Sequence, residues 1–152
     1  GRAIGKTKDS AALPELKKLF RFDSWRDALR TGAILGIANL KTPEAIKILI
    51  ERTKYGHHHW SRMAAAGALA EIGKGNNDAL DCLLKLADDP FVLMQDAAAD
   101  ALGEFGDERA VPKLKKILTE TREGRVLRAA EIALRKIYSW REAAEFEKEE
   151  KK

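Results

Sequence analysis

His57, His58 and His59 stand side by side in the first half of the chain, and they are its only histidines. Three imidazoles in one loop could hold a transition metal. Adjacent residues, however, rarely aim at one centre. A helix that binds zinc spaces its histidines so that both lie on one face, as in His-Glu-x-x-His. That motif is absent, and no cysteine or acid lies close to the triplet in sequence. The triplet reads as a solvated loop between helices, where metal would bind only incidentally. With every histidine in one loop, no Ser/His/Asp set can be argued. Gly73-Lys74-Gly75 has neither the preceding strand nor the spacing of a phosphate loop. Cys82 is the single cysteine, so no internal disulfide is possible, and within Asp81-Cys82-Leu83-Leu84, at helical spacing with apolar residues, it reads as an inert, buried or half-buried thiol.

A second candidate chemistry lies in Trp25, Trp60 and Trp140, each at the start of an expected helix, with Arg26, Arg30 and Arg62 nearby. An aromatic and arginine strip can stack bases and hold phosphates. Base-excision chemistry would also need an acid among the aromatics, and the one at hand, Asp27, is accounted for as a helix cap. The plainer reading has the tryptophans plugging the ends of helical layers and the arginines in water. Tyr55-Gly56 likewise reads as an aromatic plug and a left-handed helix end. The net charge is +4, from 28 basic and 24 acidic residues, which mixed-charge solvated helix faces produce by default. Nucleic acid is not the expected partner.

What must position these residues is a repeated phrase. Ala101-Leu102-Gly103-Glu104-Phe105-Gly106-Asp107 echoes Ala3-Ile4-Gly5, and related copies begin at Gly36, Ala68 and Ala133. The anchors at 3, 36, 68, 101 and 133 differ by 33, 32, 33 and 32 residues. A fixed period in this range marks a stacked array of helical repeats. The sequence predicts repeats near 1–23, 24–58, 59–89, 90–123 and 124–152, together one domain. Each repeat has an amphipathic A helix, with apolar rows such as Leu13/Leu16/Leu19, Leu80/Leu83/Leu86 and Val111/Leu114/Ile117. Each B helix is rich in alanine and glycine. Aligning the copies gives four columns: Leu29/Ser61/Met94/Val126, Ala33/Ala65/Ala98/Ala130, Ile37/Leu69/Leu102/Leu134 and Leu40/Ile72/Phe105/Ile137. Small residues at fixed columns let neighbouring helices approach closely, and a stack of pairs buries what one pair cannot.

The predicted helices are 10–21, 24–39, 43–54, 59–73, 77–87, 90–105, 108–120, 124–138 and 139–150. Ser24 to Asp27 and Ser139 to Glu142 read as capping boxes, Thr42-Pro43 and Asp89-Pro90 as a cap followed by proline, and Asp107 as a further cap. Gly73 and Gly56 mark helix ends. The opening inside a repeated phrase reads as a piece cut from a longer polypeptide, and the Glu/Lys-dense tail as a polar terminal helix.

The Ala-rich B helix followed by Leu102-Gly103, Gly106-Asp107, Arg109-Ala110-Val111-Pro112 and Leu114 resembles HEAT-like repeats of the phycobilisome-lyase type. The order Phe22 to Ala33, Leu40 to Ile46, then Arg52-Thr53-Lys54-Tyr55-Gly56-His57 resembles, more narrowly, the C-terminal helical-repeat region of prokaryotic aminopeptidase N-type zinc metallopeptidases. That resemblance implies a domain packed beside a catalytic domain, limiting access to its site. The zinc would then belong to a parent enzyme, since neither the zinc motif nor the exopeptidase Gly-x-Met-Glu-Asn motif is in this chain. The expectation is thus an all-α, right-handed α-solenoid of about four HEAT-like two-helix repeats, with B helices on the concave side. It carries no cofactor and no catalytic residue, binds protein, does not enter membranes and resides in the cytoplasm. Its candidate interaction surface is Arg26, Arg30, Arg62, Gln95 and Arg128. The alternatives are a free-standing interaction module, a bilin-lyase-like chaperone and a DNA-binding array.

Overall fold

In a computed structural model of the chain, residues 10–22 and 27–150 are described. Trp25 and Arg26, with Ser24 of the first capping box, lie outside them. The described residues form helices α1 (Leu13–Lys18), α2 (Ala28–Leu40), α3 (Pro43–Arg52), α4 (His59–Ile72), α5 (Asn77–Leu86), α6 (Val92–Phe105), α7 (Val111–Glu120) and α8 (Gly124–Glu150). Tight 3-10 turns at Ser10–Ala12, Leu19–Arg21 and Glu108–Ala110 extend α1 and α7. Among these residues there is no strand beyond an isolated bridge between Tyr55 and His57. The fold is all-α and of the α-solenoid class.

The chain divides into two compact units, Gly1–Cys82 and Leu83–Lys152, with the division inside α5. In the first unit α2 packs along α4, α3 lies against both, and α1 backs α2. In the second, α6 packs along α8 and α7 against α8. The cause of this layering is the alanine column. Ala33, Ala65, Ala98 and Ala130 are each fully buried, as are Ile37, Leu69 and Leu102 in the next column. A buried leucine or isoleucine contributes on the order of 2 kcal/mol over an exposed one. The A rows point inward too, through Leu16, Leu49, Leu80, Leu83 and Leu114. Gly103 shows how tightly the B helices meet. A Cβ there would lie 2.7 Å from the Cα of Ala133 and 2.9 Å from its Cβ, so only glycine fits that crossing.

The helix ends follow local chemistry. Thr42 is extended and its hydroxyl accepts from the amide of Ala45 at 3.1 Å, with Pro43 opening α3. Asp107 accepts from the amide of Arg109 at 2.9 Å. Gly106, in the left-handed region at φ 75°, closes α6.

Three expectations are corrected. Asp89 does not cap a helix at Pro90. It accepts from the amide of Phe91 at 3.0 Å in a turn, and α6 begins at Val92. The expected break at Ser139 is absent, because α8 runs on unbroken to Glu150. At the column of the stop signal, Lys41 and Gly106 are left-handed and Gly73 closes α4, whereas the last copy has Tyr138. No glycine or proline follows it, and the Arg/Glu/Ala run favours helix. Finally, α3 ends at Arg52, and Gly56 takes its positive φ of 103° inside the following loop.

Candidate functional site

Two groups of residues in the first unit are candidates for a site. The first is a knot of polar side chains around the loop between α3 and α4. Asp27 is 3% exposed and sits at φ 55°, in the left-handed region that Asp tolerates better than most residues. Its carboxylate accepts from the Ser61 hydroxyl and from Arg30 Nη1 at 3.1 Å, while Arg30 Nε donates to the Phe20 carbonyl at 2.9 Å. Arg62 is 3% exposed, so it belongs to the interior, not to the solvent-facing surface expected of it. Its Nε donates to the Thr53 carbonyl at 2.8 Å, and its guanidinium lies 5.7 Å from the centre of the Tyr55 ring. Thr53 is buried as well. Its hydroxyl donates to the Ile50 carbonyl at 2.6 Å and lies 3.2 Å from the half-buried Cys82 sulfur. Arg52 stacks over Phe20 at 4.2 Å, and burial, with Arg30 nearby, pulls its guanidinium below the ordinary range. These bonds tie a loop across two helices. They are structural chemistry.

Nor do the histidines gather around a centre. His58 accepts from the amide of Trp60 at 3.3 Å and its ring stacks on His59, with centroids 4.4 Å apart. Burial and the Arg52 charge lower the His57 pKa. Among the described residues no group of three His, Cys, Asp or Glu side chains is arranged to hold a metal. Tyr55 is 81% exposed and plugs nothing.

The second group lines an open groove between α2 and α4. Ala28, Thr31, Gly32, Leu35, Trp60, Met63 and Ala64 line it, around about 710 Å³. Trp60 is 41% exposed, so it borders this groove instead of closing a layer. The Thr31 hydroxyl is buried there without a hydrogen-bond partner. A Cβ on Gly32 would meet nothing within 4 Å. Sequence reasoning passed over these positions because it took their glycine and alanine as packing residues. The available signal was that Gly32 and Ala64 fall one place before the buried alanine column, where the helix face is only half-buried.

The second unit carries charge on its exposed side. There Asp96 pairs with Arg125 at 3.7 Å and Glu104 with Lys136. Burial, then the neighbouring Asp96, raises the Asp100 pKa. Gln95 is half-buried and donates to the Asp89 carbonyl at 2.6 Å, and Arg128 is exposed. Of the five candidate surface residues, Arg30 and Gln95 thus sit at the starts of B helices with backbone contacts, Arg62 is interior, Arg128 faces out, and Arg26 lies outside the described residues.

Two-helix layers with a buried small-residue seam define a helical-repeat protein. The HEAT repeats family matches residues 1–70 and 60–135. The chain therefore belongs to the HEAT repeat family. Comparison with curated proteins gives no match. No described helix is long and apolar enough to cross a membrane.

Proposed function

We propose that this chain is a non-catalytic scaffold that binds a protein partner through the outward face of its B helices. The observation that carries the reading is the α2/α4 groove, where an apolar wall with Trp60 and Met63 stands open at positions the fold does not need to bury. Tryptophan and methionine beside small residues are the composition of an interface core. The residue order over Phe22 to His57 supports a particular version, in which the partner is the catalytic domain of a zinc aminopeptidase in the same polypeptide and the zinc resides there.

Site-specific photo-crosslinking tests the general reading. A photoreactive residue at Met63 should capture a protein that one at Lys47 on α3 does not, and Gly32→Trp, which fills the groove, should abolish the adduct. Equal capture at both positions refutes it. For the narrower version, a His-Glu-x-x-His helix encoded upstream in the same reading frame is the expected finding.

A further inference from the structure

On the A-helix side of the second unit, a groove of about 440 Å³ runs between the end of α5 and the start of α7. Lys85, Arg109, Lys113 and Lys116 line it, with Asp88 as the single acid of the lining. Leu84 and Pro112 supply apolar surface in the same groove. Arg109 is held by Asp107 at 2.8 Å, Lys113 by Asp88, and Lys116 faces Glu120 at 4.0 Å. Ion pairs at a solvated surface are weak and screened, so an incoming carboxylate can share or exchange them at little cost.

We propose that this groove docks an acidic peptide segment of a partner protein, with carboxylates on the lysine rim and an aliphatic side chain against Leu84 and Pro112. Charge complementarity sets the sign of the ligand: four cations line the groove, and the three acids that pair with them, Asp88, Asp107 and Glu120, leave the cluster net positive, with Lys85 outside those pairs. The lining carries no aromatic ring on which bases would stack, and its leucine and proline suit an alkyl side chain better than a phosphate. The surface is separate from the B-helix groove, so either can fail alone.

The test uses fluorescence anisotropy of the full chain with a fluorescein-labelled oligoglutamate peptide carrying a central leucine. Saturable binding that weakens as salt rises is expected. The double variant Lys85→Gln/Lys116→Gln should lose about tenfold in affinity, a rim-charge effect, and replacing the peptide leucine with glutamine should weaken binding as well. Arg125→Gln/Arg128→Gln removes the same net charge from α8 and should leave affinity unchanged. No binding at low salt overturns the proposal. So does equal loss in the two double variants, which is a net-charge effect, or duplex DNA binding as tightly as the peptide, which is a general polyanion effect.

Discussion

The α2/α4 pair of the first unit and the α6/α8 pair of the second are built on the same columns, yet they differ in what they hide and what they show. Both bury the alanine column completely. In the first pair the interior also holds charge, in Asp27 and Arg62, while the exterior is an uncharged groove. In the second pair the interior is sealed by Gly103 on Ala133 and the exterior carries Asp96, Asp100, Arg125 and Arg128. One column makes the contrast plain: Thr31 and Met63 in the first unit align with Asp96 and Arg128 in the second. The stack constrains its inward columns and leaves its outward ones to diverge. In an array of this kind, a binding surface is therefore written in the columns that packing does not use.

The sharpest way to break the contrast is at its buried charge. Asp27→Ala leaves Arg30 and Ser61 without their shared acceptor, and removing one partner of a buried pair costs about 3 kcal/mol. Urea unfolding should show that loss, with Asp27→Asn, which keeps an acceptor and tolerates the left-handed backbone, recovering part of it. Next in size is the seam of the second unit. Gly103→Ala should cost about 1–3 kcal/mol, because the added methyl meets backbone that cannot yield.

The same substitution at Gly32 should act in the opposite direction. Nothing lies within 4 Å of its would-be Cβ, so Gly32→Ala should stabilise by about 0.5–1 kcal/mol through helix propensity. A loss of stability there would mean the two glycines do the same work, and the contrast would fall. The smallest expected effect is on pH dependence. The Asp100 pKa is raised in the folded chain, chiefly by burial and then by Asp96. Its ionisation therefore opposes folding. The penalty is absent below the ordinary carboxylate range, grows as pH rises through that range, and is complete above the raised value. Asp100→Asn should then raise the melting temperature at neutral pH and leave it unchanged in acid.

Much of this architecture was legible in the residues. The period, the A rows and the B columns need only counting, because the stacking that buries them recurs at each copy. Thr42 and Asp107 could be read as caps because capping is chemistry over three residues. The break at Ser139 was misplaced for a similar reason. A Ser-x-x-Glu pattern is compatible with a helix start and a helix interior alike, and the missing glycine at Tyr138 decides between them. Arg62 was harder still. An arginine at the start of a helix looks solvated unless the Thr53 carbonyl and the Tyr55 ring are known to lie across from it.

The chain's own order of residues determined that helices form, where most of them end, and that small side chains recur where two axes meet. Those outcomes depend on contacts within a turn or on a pattern repeated in every layer. Which arginines are buried, why Asp27 accepts a left-handed backbone, and which faces remain open were decided by the tertiary structure. Each depends on one particular neighbour brought close from nine to thirty-four residues away, as with Arg62 at Thr53 and Ser61 at Asp27, and spacing along a chain does not disclose such pairs.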